Sequence, residues 1–306
     1  MTGLDGRVVV VTGAGRGLGR EHALLCAAEG AKVVVNDLGG GIDGVGADVT
    51  PAEEVAAEIR ARGGQAVSNH DDVANWDGAR LLVDTAVNEF GDLHVLINNA
   101  GILRDRTLVN MTEQEWDAVI HVHLKGHFCP LHHAANYWRN QAKAGATVDR
   151  SVINTSSSSG LFGQQGQTNY GAAKSGIAML SMIAAEELAR YNIRVNAIAP
   201  AALTRLTADL LGTPNADTSH DDGGALSPAN VSPFVAYLGT ENCPITGRVF
   251  FVMGGTVQLF EPWSIIDRID KPVGERWTLA ELAEKAVHFA EVPFELNNPA
   301  AEMVRP

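Results

Sequence analysis

Arg7-Val8-Val9-Val10-Val11-Thr12-Gly13-Ala14-Gly15-Arg16-Gly17-Leu18-Gly19 decides the fold. The β-branched run Arg7–Val11 reads as a strand, and a helical pattern follows from about Leu18 to Glu29. Between them the glycines allow a tight turn and close backbone approach, so that a pyrophosphate can sit on the helix N-terminus. A glycine-rich turn can also serve only to pack a helix on a strand. The next strand, Lys32–Val35, is apolar throughout after its lysine, as expected of a strand covered on both faces. Asp37 ends it, some twenty residues beyond the glycine turn. A carboxylate there can accept hydrogen bonds from both adenosine ribose hydroxyls and repels a 2′-phosphate, which favours NAD over NADP. Arg16 pulls the other way, since a basic residue in the loop can hold that phosphate. Asp37 could also do no more than cap the following loop.

Outward from this unit the pattern repeats. Glu53–Ala61 and Ala79–Phe90 read as helices, and Ala66–Ser68, Val95–Ile97, Ser151–Thr155, Arg194–Ile198 and finally Val249–Val252 as strands. Strands alternating with helices indicate an α/β fold, here a single doubly wound parallel sheet of Rossmann type. The alternation predicts one domain over residues 1–260 and an extension, 261–306, that packs on that domain or on a neighbouring subunit. Leu38–Thr50 reads as a glycine- and aspartate-rich insertion. Leu203–Pro228 reads as a polar loop carrying a short helix, and the extension holds one helix, Leu279–Phe289.

Composition narrows the function classes. With 45% apolar and 19% charged residues among 306, the chain has an ordinary globular balance. No stretch reaches the ~20 apolar residues of a membrane span, and the start lacks the pattern of a secretory signal, so a cytoplasmic protein is expected. A net charge of −13 argues against nucleic acid or an anionic membrane as the main partner. Cys26, Cys129 and Cys243 are too few and too scattered for a disulfide framework or a zinc pattern, and Cys26 reads as a small buried hydrophobe.

Tyr170-Gly171-Ala172-Ala173-Lys174 carries the chemistry. Residues four apart share a helix face, and a nearby ammonium lowers a tyrosine pKa from about 10 towards that of a general base. Such a pair on its own also occurs on ordinary helix surfaces. In the company of Thr12–Gly19, of Asn98-Asn99-Ala100-Gly101 after a strand and of the serine run Ser156–Ser159, it resembles the short-chain dehydrogenase/reductase family over roughly residues 5–255. The resemblance implies that Tyr170 is the general base, that Lys174 holds the nicotinamide ribose and depresses the tyrosine, and that Ser157, thirteen residues before Tyr170, polarises the reacting oxygen. Ser156 could instead bond backbone. It further implies that Gly13, Arg16, Gly17, Leu18, Gly19, Asp37, Asp72, Val73, Asn99, Ala100, Gly101, Tyr170, Lys174 and Pro200 line the cofactor.

Two positions depart from the family pattern. His123, in Val122-His123-Leu124-Lys125-Gly126, stands where an asparagine normally supports a relay water, and Pro200-Ala201 replaces Pro-Gly. A histidine with a near-neutral pKa could add a proton donor to the relay, or it could be purely structural. With the Val33–Gly40 segment, Gly44-Val45-Gly46 and Ile153-Asn154-Thr155, these features resemble the (3R)-hydroxyacyl-CoA dehydrogenase module of peroxisomal multifunctional enzyme type 2, also described as a 17β-hydroxysteroid dehydrogenase. The resemblance implies an NAD-dependent oxidation of a (3R)-hydroxyacyl-CoA by a homodimer or homotetramer. A steroid or other bulky alcohol is the alternative substrate. A 3-oxoacyl carrier-protein reductase and a non-catalytic NAD-binding protein are more distant readings. His121, His123, His127, His132 and His133 cluster in sequence, yet no carboxylate or cysteine completes a set, and no metal is expected.

Overall fold

The valines of the opening strand are all apolar because alternate residues enter different cores. Val9 and Val11 pack with Ala23, Cys26, Val55 and Ile59 on one side of the sheet. Val8 and Val10 pack with Leu82, Leu96, Trp138 and Val152 on the other. Cys26 is thus the small buried hydrophobe that its apolar setting implied.

The computed structural model describes residues 3–208, 224–241, 243–261 and 263–291. The first half runs β1 (Val8–Thr12), α1 (Gly17–Ala28), β2 (Lys32–Asn36), α2 (Thr50–Ala61), β3 (Gln65–Asn69), α3 (Trp76–Phe90) and β4 (Val95–Asn98). The second half begins with α4 (Glu113–Ile120), a π turn (His121–Lys125) and α5 (Gly126–Lys143). It continues through β5 (Arg150–Thr155), α6 (Ser158–Phe162), α7 (Thr168–Leu188), β6 (Ile193–Pro200), α8 (Ser232–Gly239), β7 (Val249–Met253), β8 (Thr256–Leu259) and α9 (Leu279–Lys285). One eight-stranded sheet results, in the order β3-β2-β1-β4-β5-β6-β7-β8. The order reverses between β1 and β4, so a crevice opens there above the carboxyl ends of the strands.

Two details differ from the reading of the sequence. The sheet does not end at β7: the chain reverses through Gly254-Gly255, and β8 pairs antiparallel with β7, Met253 facing Thr256. All four residues of β8 are exposed, so no buried face marked it as a strand. The expected helix Leu279–Phe289 stops at Lys285, and a 3₁₀ turn, Val287–Ala290, follows. The short helix expected in the 203–228 loop falls mostly on residues 209–223, outside the described residues. Among the described residues no helix is long and apolar enough to cross a membrane.

At the amino ends of the strands lies a buried ionic cluster. Arg194 grips Asp149 with both Nε (3.1 Å to Oδ2) and Nη2 (2.7 Å to Oδ1), and donates to the carbonyls of Leu238 and Thr240 at 2.8 Å each. Arg7 reaches the same carboxylate at 3.3 Å. Arg150 pairs with Asp92 at 2.9 Å, and Tyr137 donates to that same carboxylate. Pairing of this kind is what permits guanidinium groups to be buried.

Candidate active site

At the crevice, α1 begins without a side-chain cap: Arg16 occupies the N-cap position with no capping hydrogen bond, and the first turn holds no acid. Its leading N–H groups therefore face the crevice as ready anion donors. By contrast α3 is capped, Asn75 accepting from Asp77 N and Gly78 N. The loop before α1 is braced from behind. Asn99 Nδ2 donates to Thr12 O (3.0 Å) and Gly13 O (3.1 Å), and Thr12 Oγ1 accepts from Asn99 N (2.9 Å) and Ala100 N (3.1 Å). A Cβ at Gly19 would lie 2.2 Å from Gly13 O, so only glycine lets the helix come this close to the loop. Leu18 anchors the helix on the core from the other side. An open helix N-terminus over a braced glycine turn fits a diphosphate.

Asp37 closes one side. Its Oδ2 accepts from Gly15 N (2.8 Å) and its Oδ1 from Gly39 N (2.7 Å), so the carboxylate both holds the glycine loop and caps its own loop. Further lone pairs on each oxygen stay available for ribose hydroxyls. Asp72 Oδ1 accepts from Ala74 N (2.8 Å), while Val73 is buried in the core below. Pro200 ends β6, and Ala201 N donates to Val252 O (3.0 Å) with no left-handed backbone. The insertion between β2 and α2 is folded back as a rim. Ile42 O accepts from Leu103 N (3.1 Å), and Asp43 O from Arg104 Nε (2.9 Å).

Tyr170, Lys174 and Ser157 converge beside this crevice. Tyr170 sits in the first turns of α7, with Lys174 one turn on. The ammonium is buried, lies 5.4 Å from the Tyr170 ring centroid and donates to Thr155 O at 2.6 Å. Ser157 caps α6, its Oγ accepting from Ser159 N at 3.2 Å, and its hydroxyl favours the charged form of the Tyr170 phenol. Ser156 is engaged elsewhere, donating to Lys174 O at 2.7 Å. Ser156 is thereby committed to the backbone, and Ser157 is the serine that acts on Tyr170. Beside Tyr170, Asp105 accepts from Gln167 Nε2 at 2.7 Å and borders a polar cleft of about 580 Å³ that Arg106, Asn110 and Thr112 also line.

The electrostatics correct one expectation. Burial pushes the Tyr170 phenol up to about 12, partly offset by the bond from Ser157, and pushes Lys174 down to about 7. Desolvation penalises the charged form of each group and here outweighs the lowering of the tyrosine expected from its neighbour.

His123 also differs from expectation. It occupies the π turn, its ring centroid 5.1 Å from that of Tyr170 and edge-on. Nε2 lies 2.7 Å from Ile102 O. Nε2 also lies 3.0 Å from Ile102 N, and the buried Nδ1 has no hydrogen-bond partner among the described residues. Burial, then the Lys174 charge, hold the ring well below its ordinary pKa, so it stays neutral and is no imidazolium donor. A Cβ at Gly101 would lie 2.4 Å from His123 Cε1, so the glycine makes room for the ring. Burial likewise takes His127 down to about 3, whereas His132 and His133 stack against Trp76 on another surface. Among the described residues no group of three His, Cys, Asp or Glu side chains is placed to hold a metal.

Sequence reasoning missed Thr155, whose carbonyl holds Lys174, and Arg205, which sits over the glycine loop. The first acts through its backbone carbonyl, which no side-chain pattern reports, and the second is brought to the crevice only by the fold.

Comparisons with known proteins agree with this geometry. The short chain dehydrogenase family profile matches residues 7–210. Hydroxyacyl-CoA dehydrogenase ChsB1 of Mycobacterium tuberculosis is 41% identical over 309 residues, covering 99% of this chain and 95% of that protein. Peroxisomal multifunctional enzyme type 2 of Drosophila melanogaster is 47% identical over 243 residues, 79% of this chain but 38% of the longer protein. The crystal structure of a short chain dehydrogenase from Mycobacterium avium superposes with a TM-score of 0.82 at 50% identity, covering 94% of this chain and 95% of the other. An open helix N-terminus over a glycine turn, a Ser-Tyr-Lys cluster beside it and these likenesses lead to one assignment: the chain belongs to the short-chain dehydrogenase family, oxidoreductases that act on CH–OH groups with a nicotinamide cofactor.

Proposed function

We propose that this protein is an NAD-dependent dehydrogenase that oxidises a (3R)-hydroxyacyl-CoA to the 3-oxoacyl thioester. The observation that carries the reading is the Ser157–Tyr170–Lys174 cluster at the carboxyl edge of the sheet, a half-buried phenol between a buried serine and a buried ammonium. Asp37, set at the end of β2 with both oxygens turned to the glycine loop and its own turn, supports NAD over NADP. The relatives named for hydroxyacyl-CoA oxidation support the substrate class.

The nicotinamide supplies the hydride acceptor and, when oxidised, a positive charge that favours a phenolate nearby. Tyr170, as phenolate, takes the proton of the substrate hydroxyl. Ser157 Oγ donates to the same oxygen and stabilises charge developing on it. The Lys174 ammonium, fixed by Thr155 O, lies close enough to the Tyr170 ring to favour the phenolate and pass its proton on. His123 enters as a neutral link: its Nδ1, without a partner among the described residues, is free to hydrogen-bond a relay water, but the ring does not hold the proton.

The chain also assembles with copies of itself in this proposal. Trp263, Ile265 and Ile266 are 80%, 91% and 77% exposed, and Val273 and Leu279 are equally bare, which is costly for an isolated subunit.

A spectrophotometric panel tests the reading: NAD and NADP, each with (3R)- and (3S)-hydroxyacyl-CoA, a 17β-hydroxysteroid and a 3-hydroxyacyl carrier protein. NAD-linked oxidation of the (3R)-thioester is expected. Turnover of the steroid alone would move the assignment to the bulky-alcohol alternative, and preference for NADP with the carrier-protein substrate would move it to the reductive one.

A further inference from the structure

Two cationic side chains at the crevice have no role in the reading above. Arg16 is exposed in the glycine loop and forms no ion pair among the described residues. Arg205 follows β6, next to Thr204, whose Cγ2 would lie 3.4 Å from a Cβ on Gly17. The segment after β6 therefore lies directly over the turn that opens α1. Arg205 is half-buried, and among the described residues its guanidinium makes a single hydrogen bond, from Nη2 to Gly40 O, at a long 3.3 Å. It has no ion pair among the described residues, in contrast to Arg7, Arg150 and Arg194, the buried arginines at the other end of the sheet. A guanidinium carries five donors, and a half-buried one with a single long bond is poorly satisfied. Its electrostatic neighbours are Arg16 and Asp37, which puts it between the glycine loop and the adenosine-ribose side of the crevice.

Its resting contact is rigid. Gly40 belongs to the rim formed by the insertion after β2, which is closed on itself by Asp48 N to Leu38 O (3.0 Å) and Gly41 N to Val45 O (2.8 Å). The same rim is tied to the segment after β4 through Leu103 N and Arg104 Nε. Arg205 thus spans the mouth of the crevice from its loop to a fixed ledge, directly above the uncapped start of α1.

We infer that Arg205 is a diphosphate-recognition residue, which exchanges its long bond to Gly40 O for the diphosphate of the dinucleotide and holds it from the side opposite the glycine loop. The inference rests on the site being a dinucleotide site. Backbone N–H groups of the helix start grip the anion from below, and the planar guanidinium supplies two parallel donors from above. Arg16, solvated and unconstrained, contributes only diffuse attraction.

Calorimetric titration of the full chain separates the possibilities without relying on turnover. NAD, ADP-ribose and adenosine (the last by competition) are titrated into the wild type, Arg205→Ala, Arg205→Lys and Arg16→Ala. Loss of charge-assisted hydrogen bonds is expected to weaken NAD and ADP-ribose roughly 10- to 100-fold in Arg205→Ala, with adenosine unchanged. Arg205→Lys restores part of the loss, and Arg16→Ala costs little. If Arg205→Ala binds ADP-ribose like the wild type, the inference fails while the dinucleotide reading stands. An equal loss for adenosine and ADP-ribose also overturns it, because Arg205 would then merely hold the rim in place. Failure of the wild type to bind NAD or ADP-ribose removes the dinucleotide reading itself.

Discussion

The two ends of the same parallel sheet follow opposite electrostatic rules. At the amino ends of the strands, charges are buried and paired: Asp149 is shared by Arg194 and Arg7, and Asp92 by Arg150 and Tyr137. At the carboxyl ends, polar groups are buried or half-buried and left short of partners. Among the described residues the start of α1 is uncapped, Lys174 has one hydrogen bond, His123 Nδ1 and Thr155 Oγ1 have none, and Arg205 has one long contact. The difference teaches where to look for chemistry. The charge-paired cluster, with Arg7 Nε as its one orphan among the described residues, contributes to folding, whereas unmet donors and acceptors in a crevice are poised for something that arrives.

The comparison can be broken most severely at Tyr170. Tyr170→Phe removes the group that accepts the proton and should lower kcat by about 10³-fold, with NAD affinity by calorimetry within about twofold. Activity within tenfold of the wild type would remove Tyr170 from the chemistry. At the opposite end, Asp149→Ala strands the Arg194 and Arg7 guanidinium groups and should cost about 3–5 kcal/mol in urea unfolding. The specific activity of the remaining folded protein should be unchanged. A loss of kcat with little loss of stability would show that the two ends are not separable.

Lys174 sharpens the contrast through pH. Its folded pKa, about 7, lies below the ordinary 10.5, so the unfolded chain binds the extra proton between those values. The burial penalty is therefore complete below pH 7 and fades as pH rises towards 10.5. Thermal melts of Lys174→Met and the wild type should show the variant gaining most, relative to the wild type, in acid, with that advantage shrinking on the alkaline side. A pH-independent difference would mean that Lys174 is not buried as an ammonium. The smallest effect is expected at Asp37. Asp37→Ala releases Gly15 N and should weaken NAD roughly 10-fold while narrowing the preference over NADP. Unchanged selectivity in direct titrations would leave the carboxylate as a loop brace alone.

What the sequence disclosed and what it hid divide along a similar line. Local periodicity and punctuation were enough for β1, the glycine turn, α1 and the alternation that followed, because each is written in consecutive residues. Tyr170, Lys174 and Ser157 were legible because a helix repeat and a fixed separation tie them together. Asp37 was legible as the end of an apolar run, but its bond to Gly15 N was not. The Arg7–Asp149–Arg194 cluster was invisible, since its members are 142 and 45 residues apart and meet only when β1, β5 and β6 align. β8 was missed for lack of a buried face, and the break after Lys285 because a helix held by few contacts follows its periodicity poorly. The direction of the tyrosine shift was missed because burial, unlike a neighbouring lysine, leaves no mark in a short motif.

The π turn at His121–Lys125 has a consequence for how related chains are compared. One extra residue in a single turn advances every following side chain of α5 by about 100° around the helix. Two chains that differ only in this turn would therefore carry the same faces of α5 at positions displaced by one. An alignment that places the gap elsewhere would match core residues with surface ones. Conversely, deleting one residue between 121 and 125 would regularise the helix while turning His123 away from Gly101 and Tyr170 or α5 away from the sheet, so this short segment should be where insertions and deletions are least tolerated.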